Sequence, residues 1–482
     1  MKTLVYGIDG MSLEILKSIS SGFREYVVGM NCYDIEDDIL GRGWSKVFSG
    51  QKPQVTNAYF QMPVCDASFK IDQVYNLNTP GAQSDGRFEY LWEAADRLGL
   101  RSVFVNIPTA VPAPENGSAF VAGMGGGRYP KDGFDKDLYY PSDIESLIAS
   151  KFKMDVRLDV TSDFDRFTAG LDEIHGSQTD FFVELCKEKD ADFGFYVNKV
   201  TVEILFLSYY DITHIESSDE VVRNTIQNHF ESIFNDFKRM LDGLKPDRVI
   251  LVSDHGTVGY KYDFNVDHLL NRLGFLHYEE DTVKDVMRCI FRSLPESLKM
   301  KIRKVKSVIK PPKKEKDIRK RFPLRTPAKG SLAFGTVVDT GNFCGVYLND
   351  ERFGGTVPPN NTELKERICK ALNATSEFHA VGMQAVPYED RNIDSPYSKG
   401  SPDIWIQKPD EVFCQRWKDT AFCVNKNYTS LTNDLTNHYY PNSGLKSSKA
   451  LLAANFQSST VPANLCDAHT IIVEAMELGL EQ

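Results

Sequence analysis

Short apolar runs closed by turn-forming or polar residues recur through the first half of the chain. Thr3 to Ile8, Arg101 to Asn106, Ile204 to Tyr209 and Arg248 to Val252 each read as a buried strand. Between them the period lengthens to that of a helix over Phe88 to Leu98 and Glu220 to Leu241, the second stopped at Gly243 and Pro246. Strands alternating with helices predict an α/β protein: a mostly parallel sheet with helices on both faces. Later, Phe343 to Leu348 reads as a strand, and Glu363 to Leu372 and Leu465 to Leu480 as helices. There is no internal repeat, and no apolar run approaches the roughly 20 residues of a membrane-spanning helix.

With 482 residues the chain can form one large α/β domain with insertions, or several smaller domains. The expected division is a main core over 1–280, a basic linker or insertion over 281–330, and a C-terminal part over 331–482. That last part holds a small lobe and returns to the core around His438. The middle segment stands out because Lys and Arg crowd Lys299 to Lys329 around Pro311-Pro312, after an amphipathic stretch from Val283 to Ile309. A solvated linker is the plain reading, and a patch for an anionic substrate or membrane surface the sharper one.

The remaining composition narrows the class. Asp and Glu total 67 against 56 Lys and Arg, a formal charge of −11, which argues against binding to a nucleic-acid backbone. The nine cysteines are scattered singly from Cys32 to Cys466 with no Cys-x-x-Cys pair, which disfavours a structural zinc site. Met1 to Tyr6 run directly into a strand, unlike a cleaved signal peptide. The expected setting is the reducing cytoplasm.

The chemistry gathers where strands end. Val249-Ile250-Leu251-Val252 delivers Ser253-Asp254-His255-Gly256, and Leu4 to Ile8 delivers Asp9-Gly10. Ligands of open α/β sheets collect at the carboxyl ends of parallel strands, so these endings suggest one composite metal site. Asp211 and His214, three positions apart, and His438 in a polar stretch add the right residue types, in a chain with only nine histidines. Singly, each is more often a helix cap, a turn former or a hydrogen-bonded structural residue. Together, three Asp and three His make two sets of three N/O ligands, enough for two divalent ions with open positions. Two ions about 4 Å apart clamp a phosphoryl group, so phosphoryl or sulfuryl transfer is the expected chemistry.

The order of these motifs resembles a known family. Gly7-Ile8-Asp9-Gly10, then Trp44 through Ser49-Gly50 and Pro53, then Asp211 with His214, then Ser253 to Gly256, then His438, looks like the alkaline phosphatase superfamily. More narrowly, it is similar to the type I phosphodiesterase and nucleotide pyrophosphatase branch, including its predicted phosphohydrolase and phosphomutase group. Val105 to Pro114, Asn116-Gly117, Gly123 and Ser401-Pro402-Asp403 extend the likeness over nearly the whole chain. The resemblance implies an alkaline-phosphatase-like three-layer sandwich with an inserted smaller lobe. It places one metal on Asp9, Asp254 and His255 and another on Asp211, His214 and His438. The ions implied are zinc or manganese, and the partner a small-molecule phosphate ester, a diester or nucleotide-like pyrophosphate, hydrolysed in line.

Three positions depart from the pattern. Leu40 stands where the family has a nucleophilic Thr or Ser, no His-Gly follows Pro53, and Asp211 and His214 are three rather than four residues apart. Ser45 on the first turn of the next helix is one substitute nucleophile. A metal-activated water, with Asp37 or Asp38 supplying a ligand oxygen, is another. Binding without turnover, as a scaffold, is the alternative function. Gly125-Gly126-Gly127-Arg128 is a further candidate for phosphate contact, against the plainer reading of a loop. No Cys-x-Pro-x-Arg or Ser-x-Pro-x-Arg segment of the sulfatase kind is present.

Overall fold

Five parallel strands that end along one edge build the centre of the molecule. In the computed structural model the main sheet runs, in spatial order, Asn31–Glu36, Lys449–Ala454, Arg248–Val252, Thr3–Ile8, Phe193–Asn198, Ser102–Ile107, Ala119–Ala122, Tyr139–Tyr140. The strands from Arg248–Val252 to Ala119–Ala122 are mutually parallel, while Lys449–Ala454 and Tyr139–Tyr140 pair antiparallel with this block. The structure describes residues 1–60, 62–69, 71–72, 75–123, 135–153, 163–278, 327–335, 343–415, 420–435 and 442–480. Arg128, His438, the amphipathic stretch 283–309 and nearly all of the basic stretch 299–329 lie outside these residues.

The central strands are apolar at nearly every position because helices cover both faces. On one face the long helices Phe164–Glu188 and Glu220–Leu244, with the short helices Leu13–Ile19 and Ser21–Val27, bury Leu4, Tyr6, Val103, Tyr196 and Leu251. On the other, Gly43–Ser49, Leu91–Arg97 and Asp467–Leu478 cover Val5, Phe104, Phe195 and Ile250. Each such side chain contributes about 1.5–3 kcal/mol by leaving water. The three-layer α/β architecture read from the sequence is therefore the one observed.

Three elements differ from the sequence reading. Ile204 to Tyr209 is not a strand but the middle of the helix Thr201–Thr213, and the strand beside Thr3–Ile8 is Phe193–Asn198. Short apolar runs in buried helices and buried strands look alike, since neither leaves a polar face. The helix from Glu220 runs through Gly243 to Leu244 and ends on Lys245, which adopts the left-handed conformation just before Pro246. The helix read as Phe88 to Leu98 begins at Leu91, because Glu93 folds back to accept from the Tyr90 amide at 2.8 Å.

A smaller lobe follows the main core. Ala333–Gly335, Gly345–Leu348, Ile404–Gln407 and Gln384–Pro387 form an antiparallel sheet under the helices Thr362–Asn373 and Ser376–Val381. Its apolar cluster includes Phe264, Leu269 and Leu276. The chain then returns through Gly444–Ser447 and Lys449–Ala454 to the main sheet. No helix among the described residues is long and apolar enough to cross a membrane.

Candidate metal centre

Strand register brings the site together. Ile8 lies opposite Asn198 and Gly7 opposite Val252, so the residues just past these strand ends emerge side by side. These are Asp9, Lys199 and the Ser253-Asp254-His255 turn. The two loops that carry the acids are tied to one another. The Ser253 hydroxyl donates to the Met11 carbonyl at 2.7 Å, the Thr257 hydroxyl donates to the Gly10 carbonyl at 2.6 Å, and the Gly10 amide donates to Asp254 Oδ1 at 3.4 Å.

Asp9, Asp254 and His255 are buried and turn one ligand atom each toward a common point, all within 4.8 Å of one another. His255 Nε2 stands 3.7 Å from Asp9 Oδ1 and 3.6 Å from Asp254 Oδ2. A tetrahedral zinc ion with bonds of about 2.0–2.1 Å sets its ligands roughly 3.3–3.4 Å apart, close to this spacing. His255 Nδ1 lies 2.6 Å from the Gly256 carbonyl, to which it donates, so in the neutral ring the Nε2 lone pair faces the two carboxylates. Burial first, and then the charge of Lys446, press this imidazole down to about 3, which keeps it in that neutral form. Two carboxylate oxygens and a lone pair around one point repel each other unless a cation sits between them. These residues fit a divalent metal ion.

The surrounding groups orient the acids. Asp9 Oδ2 accepts the Trp44 indole N–H at 2.7 Å and an ion pair from Lys199, which leaves Oδ1 turned toward His255. Burial opposes charge on Asp9, but Lys199 foremost among its charged neighbours outweighs it and holds the carboxyl at about 2. Asp254 has no such close partner, since Lys446 Nζ stands 3.9 Å from its Oδ2. Burial and the neighbouring Asp9 charge push Asp254 up to about 7, and a bound cation would draw it back to the ionised form. The ring of Phe206, from the helix Thr201–Thr213, stacks on His255 at 5.9 Å. Gly43, the first residue of the helix Gly43–Ser49, leans on the Asp254 backbone, and a Cβ there would lie 2.0 Å from the Asp254 carbonyl oxygen.

The other predicted residues stand elsewhere. Asp211 is buried on the helix Thr201–Thr213, where Oδ1 accepts from the Ser430 hydroxyl at 2.6 Å and Oδ2 from the Leu431 amide at 3.0 Å. His214 caps the same helix at the surface, stacked on Tyr210 at 4.3 Å with Nδ1 at 2.9 Å from the Tyr210 carbonyl. Among the described residues these two join no metal-ligand cluster. Ser45 is buried with its hydroxyl 3.4 Å from that of Tyr75. Asp37 and Asp38 are held by Lys46 at 2.5 and 3.0 Å and line a separate cavity of about 590 Å³ with Tyr388 and Trp405.

Leu40 is packed among Tyr59, Phe343 and Tyr388. Leu40→Thr would bury a hydroxyl in this apolar cluster without presenting it to the metal centre. The expected outcome is a stability loss of about 1–3 kcal/mol in a denaturant titration and no gain in hydrolysis of aryl phosphates. A rise in turnover would contradict this placement.

Lys199 and Lys446 are the site residues that the sequence reading passed over. Lys199 had a signal: it follows the apolar run Phe193 to Val197 with one residue, Asn198, between, as Asp254 follows its run after Ser253. Lys446 had none, because only the pairing of Gly444–Ser447 with Gly256–Gly259 sets Lys446 opposite Thr257, two residues past His255.

Comparison with solved structures agrees with the architecture. The chain is similar to phosphonoacetate hydrolase from Sinorhizobium meliloti 1021 in complex with phosphonoformate, at 12% identity over 99% of this chain and 96% of that one, with a TM-score of 0.55. The same enzyme in complex with phosphonoacetate gives 11% identity over the same shares, with a TM-score of 0.56. A murine ectonucleotide pyrophosphatase/phosphodiesterase 5 also aligns, at 12% identity over 99% of this chain and 95% of that one, with a TM-score of 0.45. No protein-family model and no curated protein sequence matches the chain. The fold is thus of the alkaline phosphatase type, as the order of motifs implied.

Proposed function

We propose that this protein is a phosphoric ester hydrolase dependent on a divalent cation held by Asp9, Asp254 and His255. The observation that carries the reading is the convergence of these three buried ligand atoms at adjacent ends of parallel strands. The phosphorus chemistry is supported by the fold shared with a phosphonoacetate hydrolase. Zinc or manganese suits a His and two carboxylates. When bound, such an ion polarises a phosphoryl oxygen and makes water a stronger nucleophile.

The chain's own groups prepare that chemistry. Trp44 and Lys199 fix Asp9, the Gly256 carbonyl fixes the His255 tautomer, and Phe206 holds the ring. The reading requires one ion, because both oxygens of Asp211 are engaged and His214 faces outward. It requires no serine nucleophile, so Ser45→Ala retains activity. Small-molecule esters are the proposed substrates and the cytoplasm the proposed setting.

A second reading, binding without turnover, is favoured by Leu40 in its apolar cluster and by Lys199 paired with Asp9. A screen of aryl phosphomonoesters, phosphodiesters and phosphonoacetate with added zinc or manganese separates the two. Turnover that disappears in Asp254→Ala supports the hydrolase. Silence with every substrate, in protein shown to hold the ion, leaves the binding function.

A further inference from the structure

We propose that the cavity between the main core and the smaller lobe is a binding site for an aliphatic diamine or polyamine. It measures about 590 Å³, and none of its lining residues is a candidate metal ligand, so the inference does not depend on the hydrolase reading. That volume falls within the usual range of small-molecule sites, about 300–1,000 Å³. One wall is the end of the strand Asn31–Glu36 with Asp37 and Asp38 behind it. The other comes from the lobe, where Glu389 and Asp390 follow the strand Gln384–Pro387. Five carboxylates thus share the cavity with two ammonium groups, Lys46 and Lys52.

Both lysines are already engaged. Lys46, 4% exposed, pairs with Asp37 at 2.5 Å and Asp38 at 3.0 Å, and Lys52 pairs with Asp390 at 2.8 Å. One ammonium between two carboxylates leaves a negative charge where Asp37 is only 9% exposed, which is unfavourable unless a second cation approaches. The Tyr388 hydroxyl donates to Asp38 and disperses that charge without cancelling it. Burial, against the pull of Lys46, holds the Asp37 carboxyl above the usual carboxylate range, as expected of an acid short of cations. Glu36 and Glu389, both exposed, line the same space and have no cationic partner among the described residues.

The arrangement of the acids selects the kind of cation. Among the described residues these carboxylates join no metal-ligand cluster, so they do not match a compact divalent ion. They stand on two walls, and the lobe adds Trp405 and Tyr388, with ring centres 6.3 Å apart. An extended chain with an ammonium at each end meets carboxylates of both walls while its methylene groups lie along the aromatic lining. A quaternary ammonium has no N–H to donate and would leave the carboxylates without hydrogen bonds.

The test is calorimetric titration of the full-length protein with spermidine, repeated in competition with 1,4-diaminobutane, tetramethylammonium and magnesium. The expected result is one spermidine site per chain, displaced by 1,4-diaminobutane. Affinity should fall at least tenfold in Glu36→Gln/Glu389→Gln, whose exposed positions leave the core untouched, and at least fivefold in Trp405→Leu. Wild type that binds no spermidine, or either variant within twofold of wild type, would overturn the proposal. Displacement by magnesium or tetramethylammonium at a concentration equal to that of spermidine would overturn it too, because it marks general attraction to a chain of charge −11. Should Trp405→Leu fail to fold, the double variant decides alone.

Discussion

Lys199→Met is expected to lower the stability of the metal-free protein by about 3–5 kcal/mol, because it removes one partner of a buried ion pair and leaves the other charged. Asp9 is 2% exposed, Lys199 is its ionic partner, and only the Trp44 indole remains on the same oxygen after the substitution. Asp254 and His255 face Asp9 from the other side and cannot donate to it without taking up a proton. Such a loss is a large part of the roughly 5–15 kcal/mol that holds an ordinary domain folded. Adding stoichiometric zinc should restore most of it, since a bound cation compensates the same carboxylates and stabilises the state that binds it. Denaturant titrations in chelator and in zinc measure both effects. A variant within about 1 kcal/mol of wild type in chelator would show that Asp9 needs no internal counter-ion.

Gly43→Ala is expected to be comparably damaging for a steric reason. The added Cβ would stand 2.0 Å from the Asp254 carbonyl oxygen and 2.8 Å from the Asp254 Cβ, so helix or loop must move. Overpacking of this kind costs about 1–3 kcal/mol and sometimes more. The larger consequence is for the site. The same helix carries Trp44, whose indole holds Asp9, so a shift that relieves Gly43 displaces two of the three ligands relative to each other. Metal affinity should fall by at least tenfold, in line with losses of about 10–100-fold on disturbing groups that orient ligands. Zinc titration compared with wild type reads this directly, and an unchanged affinity would mean that the helix does not set the position of Asp254.

The sequence made part of this site legible for an identifiable reason. Asp9, Asp254 and His255 each sit at or just past the end of an apolar run, and a parallel sheet brings such ends to one edge. Trp44 stood out only as part of a motif, and its use became clear from the 2.7 Å bond to Asp9. Lys199 was hidden because Phe193–Asn198 was passed over in favour of the apolar run at Ile204, which is helical. Asp211 and His214 have plausible ligand spacing, yet a buried helix gives Asp211 to Ser430 and Leu431 and leaves His214 at the surface. Spacing says which residues share a face, not what that face meets. Lys446 depended on strand pairing across nearly 190 positions of sequence, which no local pattern records.

The Asp-His turn and the buried Leu40 then fit one account. Leu40 fills an apolar cluster with residues of the smaller lobe, Phe343 and Tyr388, so this stretch of chain holds the lobe against the core. On the proposed hydrolase reading the chemistry would rest with the groups gathered at the strand ends, where the described residues offer one set of metal ligands with Lys199 and Lys446 beside it.

The most direct test of that account is the zinc and manganese content of purified full-length protein, beside an Asp254→Ala/His255→Ala double variant shown to be folded by circular dichroism. The account predicts about one equivalent of bound ion in wild type and none in the double variant, from a site with a single set of three ligands. Equal metal content in the two proteins, or none in either, would contradict it.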